Sequence, residues 1–280
     1  MILRRDLLAV AAATPLVCAA RNLKTIGAQL YTLRSVLPEK PAVALSALER
    51  IGYCEVEAVA ASLGRIWESL RKTSLKPVSV HLDTALFTRE QAKLPAALED
   101  ARRRGFAFAV CPYIAPQDRG GADVIRKLAD ALNRAGEFCR KAGLQLCYHN
   151  HAFEFAPAGE GTLLDVLMKE ADPKLVGLEL DIMWSQVAGV DPVSVLRRYS
   201  GRVPLLHLKN VAAGVEKRFD ERVPRDVFRE VGNGVIDIAA VLRAAAQSGV
   251  RHYFVEQDQT PGDPLDSLRQ SYEYLSKLDY

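Results

Sequence analysis

Residues 146–155 read Leu-Cys-Tyr-His-Asn-His-Ala-Phe-Glu-Phe, an apolar run that ends in two imidazoles and a carboxylate. Side chains two residues apart on a β-strand point to the same side, so we expect His149 and His151 to project together from the end of a buried strand. Three later apolar runs also stop on a side chain that can bind metal. They are residues 176–181, ending in Asp181, residues 203–207, ending in His207, and residues 252–256, ending in Glu256. We interpret these four runs as strands whose ends meet in space.

The composition is that of a globular protein. Of the 280 residues, 49% are hydrophobic and 25% are charged, which suits one large α/β domain or two small ones. The formal net charge is only +3, and the chain has no long run of Lys or Arg. On charge grounds, we therefore do not expect nucleic acid or an anionic membrane surface as a partner.

Residues 1–20 have the pattern of an export signal. Arg4 and Arg5 precede the apolar run 7–13 and a stretch of small residues, an order typical of a twin-arginine signal. The run is too short to span a membrane, so no stable membrane insertion is expected after signal removal. This predicts a periplasmic protein, and a cytoplasmic one if these residues instead form an amphipathic first helix. The remaining four cysteines lack CxxC spacing and are interpreted as free thiols, which suits export of an already folded chain.

From residue 25 onward, short apolar runs alternate with segments of helical periodicity. The predicted strands are 25–31, 53–58, 77–82, 107–111, the run that begins at 146, 176–181, 203–207 and 252–256. The predicted helices are 42–51, 63–72, 89–104, 122–142, 162–170, 191–199, 236–247 and 264–278. Continuous apolar strands that alternate with helices indicate a parallel sheet buried on both faces. Eight such units predict an α/β fold, a single-domain (β/α)8 TIM barrel over residues 25–280. An open doubly wound sheet would carry a glycine-rich first turn, which residues 29–32 lack.

In such a barrel, the carboxyl-terminal ends of the strands line the active site. His149, Asp181, His207 and Glu256 would then converge at the mouth, and Glu154 is a further candidate ligand. Mixed nitrogen and oxygen donors suit a divalent ion such as Mn, Zn, Co, Fe or Mg. Candidate substrate-binding side chains at or just beyond the other strand ends are Gln29, Tyr31, Glu57, His81 and Trp184.

Several motifs in this order resemble the sugar phosphate isomerase/epimerase family, the xylose-isomerase-like TIM barrels. The matching segments are 148–155 (YHNHAFEF), 178–184 (LELDIMW), 188–192 (AGVDP), 202–210 (RVPLLHLKN), 231–237 (VGNGVID), 255–258 (VEQD) and 263–269 (DPLDSLR). The resemblance covers the chain from about residue 25 to its end. It implies a divalent metal held by Asp181, His207 and Glu256, and a sugar or cyclitol substrate whose carbonyl and neighbouring hydroxyl bind that metal.

The chemistry that this resemblance implies is proton abstraction next to a carbonyl. The metal polarises the carbonyl oxygen, and His149, His151 or Glu256 takes the proton. Lys209 follows His207 by two residues, so it faces the same way and is a candidate proton donor. Reprotonation on the other face would give an epimerase, reprotonation on the neighbouring carbon would give an isomerase, and loss of a leaving group would give a lyase or dehydratase.

The sequence departs from the family pattern at one position. Many epimerases of this family have Glu-Asn-His after strand five, whereas this chain has His149, Asn150 and His151. A mechanism with two symmetric glutamates is therefore less suited to this chain, and the Tyr-His-Asn-His branch resembles inosose dehydratases and keto-sugar lyases.

Two other classes of protein share this fold. A catalytically silent carbohydrate-binding barrel would not need the full ligand set. An abasic-site endonuclease of the same fold would need more metal ligands than the five histidines of this chain readily supply, and a basic surface for DNA.

Overall fold

The structure is a computed structural model, and it describes residues 22–280. The predicted export signal at residues 1–20 lies outside the described residues. Within the described residues, no helix combines the length and the apolar character needed to cross a membrane.

Eight parallel strands close into a barrel, with each strand paired to its neighbours in chain order and the last paired to the first. The strands are β1 (Gly27–Gln29), β2 (Glu55–Val59), β3 (Lys76–His81), β4 (Phe108–Cys111), β5 (Gln145–His149), β6 (Val176–Asp181), β7 (Leu205–Leu208) and β8 (His252–Val255). The predicted (β/α)8 barrel is therefore confirmed.

At least one helix of seven or more residues lies between each strand and the next, or after the last strand, and these helices cover the outside of the barrel. The helices are α1 (Pro41–Ile51), α2 (Ala60–Leu70), α3 (Leu94–Arg103), α4 (Ala122–Ala142), α5 (Leu163–Glu170), α6 (Pro192–Arg198), α7 (Ile238–Ser248) and α8 (Pro264–Lys277). Helix α3 begins five residues later than the predicted 89, because Pro95 favours the first turn of a helix. An additional helix, Ile182–Val187, was missed by the periodicity and follows β6 directly.

The barrel interior is apolar at its lower level. Side chains from five strands form a separate cluster there, namely Val78, Phe108, Val110, Cys147, Leu205 and Phe254. Phe254 fills the space beside Gly27, where an added Cβ would lie 2.5 Å from the Phe254 ring. This apolar level is the base on which the polar side chains of the next level rest.

The connection between β7 and α7 folds back on itself beside the mouth of the barrel. Asn210–Val211 pairs antiparallel with Phe228–Arg229, and the Asn210 side chain accepts hydrogen bonds from the backbone N–H groups of Val211 and Ile236. Gly234 packs so closely that an added Cβ would lie 2.3 Å from Asn210 Oδ1 and 2.5 Å from the carbonyl oxygen of Val211.

We expect Gly234→Ala to lower the free energy of unfolding by about 1–3 kcal/mol, because the methyl group overlaps atoms that cannot all move away. The matched control is Gly64→Ala in the exposed interior of α2, where an added Cβ would have no neighbour within 4 Å. Alanine there is expected to stabilise the protein by roughly 0.5–1 kcal/mol. Urea unfolding followed by circular dichroism measures both, and equal midpoints would contradict the tight packing at Gly234.

Candidate metal and active site

Four side chains from consecutive strand ends converge at the carboxyl-terminal mouth. His149 ends β5, Asp181 ends β6, His207 lies in β7 and Glu256 follows β8. His207 Nδ1 lies 2.9 Å from Glu256 Oε2, and His149 Nε2 lies 3.7 Å from Asp181 Oδ2. One donor atom each from Asp181, His207 and Glu256 all lie within 4.8 Å of one another. The structure therefore brings together the four side chains that the sequence pattern predicts at one site.

The two carboxylate oxygens of Asp181 have different surroundings. Oδ1 caps the helix Ile182–Val187 by accepting from the N–H groups of Met183 and Trp184 at 2.9 and 3.1 Å. Oδ2 is buried and accepts no hydrogen bond of sound geometry, and its close contact is the Lys209 ammonium at 2.9 Å. One oxygen therefore fixes the side chain while the other faces the cluster.

Asn150, which lies between the two histidines, uses its side-chain amide to hold the backbone of the neighbouring strand. The backbone pairing of β5 with β6 ends at His149 and Glu179. Beyond it, Asn150 Oδ1 accepts from the N–H of Asp181 at 3.0 Å, and Asn150 Nδ2 donates to the Asp181 carbonyl at 3.4 Å. The amide thus extends the ladder by one residue and holds the backbone of Asp181 against β5.

Lys209 lies within the cluster and is only 2% exposed. Its Nζ contacts Asp181 Oδ2, Glu256 Oε2 and Asp258 Oδ2 at 2.9, 2.7 and 2.9 Å. Burial lowers the pKa of Lys209, but the three carboxylates outweigh burial and raise it well above the usual range. Burial acts against ionisation of Glu256, yet Lys209 and His207 lower the pKa of that carboxyl. The ammonium is a fixed positive charge at the mouth.

Asp258 belongs to this cluster although the sequence argument did not single it out. Burial raises its pKa to about 6. The signal was available, because Asp258 follows Glu256 by two residues and side chains at that spacing share a face of an extended segment.

Two buried glutamates lie behind the histidines. His207 Nε2 is 2.6 Å from Glu57 Oε1, and His149 Nδ1 is 3.1 Å from Glu179 Oε2. A carboxylate that accepts from one ring nitrogen of a histidine fixes the ring and leaves the other nitrogen free to bind a metal. Here the nitrogens left for an ion are His207 Nδ1 and His149 Nε2, which are the ones beside Glu256 and Asp181.

Glu179 is a further residue that the sequence argument missed. It is fully buried, and its Oε1 has no hydrogen-bond partner within the described residues. It precedes Asp181 by two residues on the same strand, so it points into the barrel one level below. A carboxylate inside an otherwise apolar strand was the signal that could have identified it.

His81 connects the two glutamates. Its Nε2 lies 2.9 Å from Glu57 Oε1 and 2.8 Å from Glu179 Oε2. Burial opposes the charged form of each group. His81 and His207 nevertheless lower the pKa of Glu57, whereas burial and the neighbouring Glu57 raise the pKa of Glu179 to about 8. Burial lowers the pKa of His81, but the two carboxylates outweigh it and raise that pKa to about 10.

Two predicted substrate-binding residues lie beneath the site. Gln29 and Glu57 are fully buried and do not line the cavity at the mouth. Gln29 Nε2 donates to Glu57 Oε1 at 2.7 Å. Both side chains point into the barrel, as the sequence periodicity predicts. They lie below the cavity floor, however, and do not reach a ligand in the cavity. They support His207 instead.

Glu154, the additional candidate ligand, is also held elsewhere. Its Oε1 accepts from the Tyr148 hydroxyl at 2.7 Å, and its Oε2 accepts from the N–H of His151 at 2.9 Å. Burial raises the pKa of this carboxyl to about 8. Because both oxygens are engaged, Glu154 braces the turn after β5 and does not join the donor cluster.

A cavity of about 890 Å³ opens above the donor cluster. The predicted site residues that line it are Tyr31, His81, His149, His151, Trp184, Lys209 and Glu256. The His151 ring packs 5.0 Å from the His149 ring and 5.7 Å from Trp184 between centroids, and its Nδ1 has no hydrogen-bond partner within residues 22–280. Burial, reinforced by the positive charge of Lys209, lowers the pKa of His151 well below the usual range. Burial likewise lowers the pKa of His149, so both imidazoles are neutral.

The donor set fits a divalent cation. It offers two imidazole nitrogens and two carboxylate oxygens, a combination that zinc and other first-row divalent ions accept. The convergence of one donor atom each from Asp181, His207 and Glu256 within 4.8 Å is the observation that favours this fit most directly. Asp181, His207 and Glu256 form one group of donors that could hold the ion, and His149 adjoins it with Nε2 3.7 Å from Asp181 Oδ2. His149 also belongs to a second group of close donors, with His81, Glu179 and His207.

The fold and the donor set together define a class, the (β/α)8 barrels with carboxylate and imidazole ligands at the mouth. The chain belongs to the xylose isomerase-like TIM barrel family, whose model matches residues 49–278. The family resemblance of the sequence motifs is thereby confirmed.

Individual proteins that are similar to this chain are consistent with its assignment to this family. The inosose dehydratase of Geobacillus kaustophilus is 31% identical over 161 residues, which cover 54% of this chain and 52% of that protein. The chain therefore matches about half the length of this relative. A sugar phosphate isomerase/epimerase from Parabacteroides distasonis superposes with a TM-score of 0.76 at 19% identity, covering 91% of this chain and 98% of that one. A barrel protein from Mycobacterium smegmatis in complex with magnesium gives 0.66 at 13% identity, covering 90% and 95%. The likeness to the two solved structures concerns the fold.

We expect His207→Ala to abolish binding of a divalent ion, because it removes a donor. Glu57→Gln should weaken binding by about ten- to a hundredfold, because a carboxylate behind a metal-binding histidine orients its ring. Glu55→Gln is the matched control, since Glu55 lies at the opposite end of β2 and pairs with His252 at 2.8 Å. Chelator competition and elemental analysis measure the ion. Equal affinity in the Glu57 and Glu55 variants would contradict the supporting role of Glu57.

Proposed function

We propose that this protein is a metal-dependent enzyme that removes a proton next to the carbonyl of a cyclic polyhydroxy ketone and expels a leaving group from the adjacent carbon. The substrate class is a keto-sugar or a cyclitol ketone. The observation that carries the proposal is that His149 and Glu256 of the donor cluster line one cavity together with the additional imidazole of His151. The similarity to inosose dehydratases over half of their length supports the same chemistry.

We assign the ion to His149, Asp181, His207 and Glu256. When bound there, a divalent ion polarises the substrate carbonyl and lowers the pKa of the neighbouring C–H. The candidates for the ion are Mn, Zn, Co, Fe and Mg, all of which accept mixed nitrogen and oxygen donors.

The general base in this proposal is His151. It lines the cavity next to His149, with 5.0 Å between the ring centroids, and it is not one of the side chains that form the donor cluster. His149 is less suited to the role, because its Nδ1 contacts Glu179 and its Nε2 contacts Asp181. Glu256 is less suited because its Oε2 contacts His207 Nδ1. A neutral imidazole next to the substrate can take a proton and release it in the next step.

Lys209 is the proton donor to the departing oxygen. It lines the cavity, and its three carboxylate contacts hold the ammonium in one position. A positioned ammonium stabilises negative charge that develops on an oxygen of the substrate. The tripeptide His149–Asn150–His151 supports elimination over symmetric epimerisation, because no glutamate stands at its first position to face Glu256 across the substrate.

Incubation of metal-loaded protein in deuterated water tests the reaction class. The panel contains inososes, 3-keto-glycosides and simple ketoses, with products followed by NMR and mass spectrometry. We expect an unsaturated product and release of water or an alcohol. His151→Gln should lower kcat by about a hundred- to ten-thousandfold while metal content is retained.

The other outcomes separate the alternatives. Deuterium at the carbon next to the carbonyl without elimination would replace the lyase assignment with an epimerase or isomerase. Binding of a sugar with no exchange in any compound would overturn proton abstraction and identify a silent carbohydrate-binding barrel.

We propose in addition that the protein is exported and works in the periplasm. The arginine pair Arg4–Arg5 before the apolar run 7–13 supports this. The four cysteines among the described residues are free, and three of them are buried, as suits a chain that folds before export. In a Gram-negative host, cell fractionation should recover the protein in the periplasm, and Arg4→Lys with Arg5→Lys should retain it in the cytoplasm. Cytoplasmic recovery of both proteins would refute export.

A further inference from the structure

The mouth of the barrel has two unlike halves. The metal donors come from the ends of β5, β6, β7 and β8, which are neighbours on one side. The ends of β2, β3 and β4, with the segments that follow them, form the opposite side and contribute apolar side chains to the same cavity. These are Val59, Ala60, Ala61, Leu82, Leu86, Ala97 and Pro112, which we call the apolar wall.

Two polar side chains on this side are held by contacts within the protein. Asp83 lines the cavity, but its Oδ1 caps the helix Thr84–Phe87 by accepting from the N–H of Ala85 at 2.9 Å. His81 contacts the two buried glutamates below it. The apolar wall therefore has few free hydrogen-bonding groups for the hydroxyls of a second sugar ring.

The connection after β7 extends the apolar surface over the cavity. Val223 and Phe228 line the cavity from this connection, and the Phe228 ring meets Trp184 edge-on with centroids 6.2 Å apart. Glu221 also lines the cavity but pairs with Arg119 at 2.9 Å. Arg225 lines the cavity from the same connection, so the cover places one guanidinium beside these apolar side chains.

The cavity is also large enough to hold an apolar group in addition to a sugar ring. Its 890 Å³ lies near the upper end of the range of about 300–1,000 Å³ that pockets for drug-sized ligands occupy. A single sugar ring held at the donor cluster would leave the apolar wall uncovered. Tyr31 and Tyr113, at 41% and 38% exposure, extend the aromatic surface to the rim.

We propose that the substrate is a keto-glycoside with an apolar, aromatic aglycone, and that this aglycone lies on the apolar wall while the keto-sugar ring lies at the donor cluster. This inference rests on the proposed function and specifies its leaving group, which is the aglycone alcohol and not water. The assignment rests on the fact that the apolar wall lines the same cavity as His149 and Glu256 of the donor cluster.

The reaction balances without an added oxidant or reductant. The base takes the proton from the carbon between the ketone and the anomeric carbon, and the electron pair of that C–H bond forms a C=C bond. The bond from the anomeric carbon to the aglycone oxygen breaks, and this oxygen receives a proton from Lys209. The products are an unsaturated keto-sugar and the free aglycone alcohol.

Three 3-keto-glucosides that differ only in the aglycone test the proposal, with methyl, benzyl and glucosyl groups, all of which leave as aliphatic alcohols. We expect kcat/KM for the benzyl compound to exceed that for either of the others by at least about tenfold, since filling an apolar pocket discriminates by this order. Equal values for the three compounds would overturn the aromatic aglycone while leaving the proposed elimination intact. Absence of turnover and of solvent exchange with all three would refute the proposed function itself.

Two variants locate the aglycone. Leu86→Gln and Ala61→Glu should each reduce the preference for benzyl over methyl by about fivefold or more, because they place a polar group on the apolar wall. Ala61 is exposed, so its replacement does not disturb the core. The matched control is Val43→Gln on α1, which is 62% exposed and lies outside the cavity. An unchanged preference in both wall variants would overturn the placement.

Discussion

The structure depends on the pairing of charges inside the barrel. The level above the apolar cluster holds two glutamates and three histidines, where barrels of this kind are usually filled by branched aliphatic side chains. Charged groups can be buried only if each has a partner of opposite charge or a hydrogen bond. Glu57 and Glu179 have His81 between them, and each also contacts a histidine that faces the mouth. The orientation of the candidate metal ligands follows from this pairing.

Alternation along strands predicted much of this arrangement. Because strands alternate their faces and parallel strands end at one rim, the sequence was sufficient to bring His149, Asp181, His207 and Glu256 together. The same alternation places Glu179, two residues before Asp181, and Asp258, two residues after Glu256, on the same side as these four. It would therefore have added both residues to the predicted site. Periodicity defines the face of a strand but not the level, so it could not place Gln29 and Glu57 below the cavity. The level depends on the stagger between strands, which neighbouring residues do not encode.

Short-range hydrogen bonds account for the remaining differences. Glu154 has a metal-capable side chain at a strand end, but the Tyr148 hydroxyl and the N–H of His151 use both of its oxygens. Asp181 begins a helix that hydrophobic periodicity does not reveal, because six residues are too few for a repeat. In both cases a carboxylate accepts hydrogen bonds from donors a few residues away in the chain. Composition and spacing do not distinguish such a carboxylate from one that is free to bind a metal.

The Lys209 ammonium is a counterion, built into the chain, for the carboxylates at the mouth of the barrel. The oxygens that would bind a divalent ion, Asp181 Oδ2 and Glu256 Oε2, already contact its ammonium. In domains that use a structural metal as their only source of positive charge, folding requires the ion. Here the tethered ammonium neutralises part of the anionic cluster by itself, so the barrel can assemble before any ion arrives. A bound ion would add to a charge balance that Lys209 already provides in part.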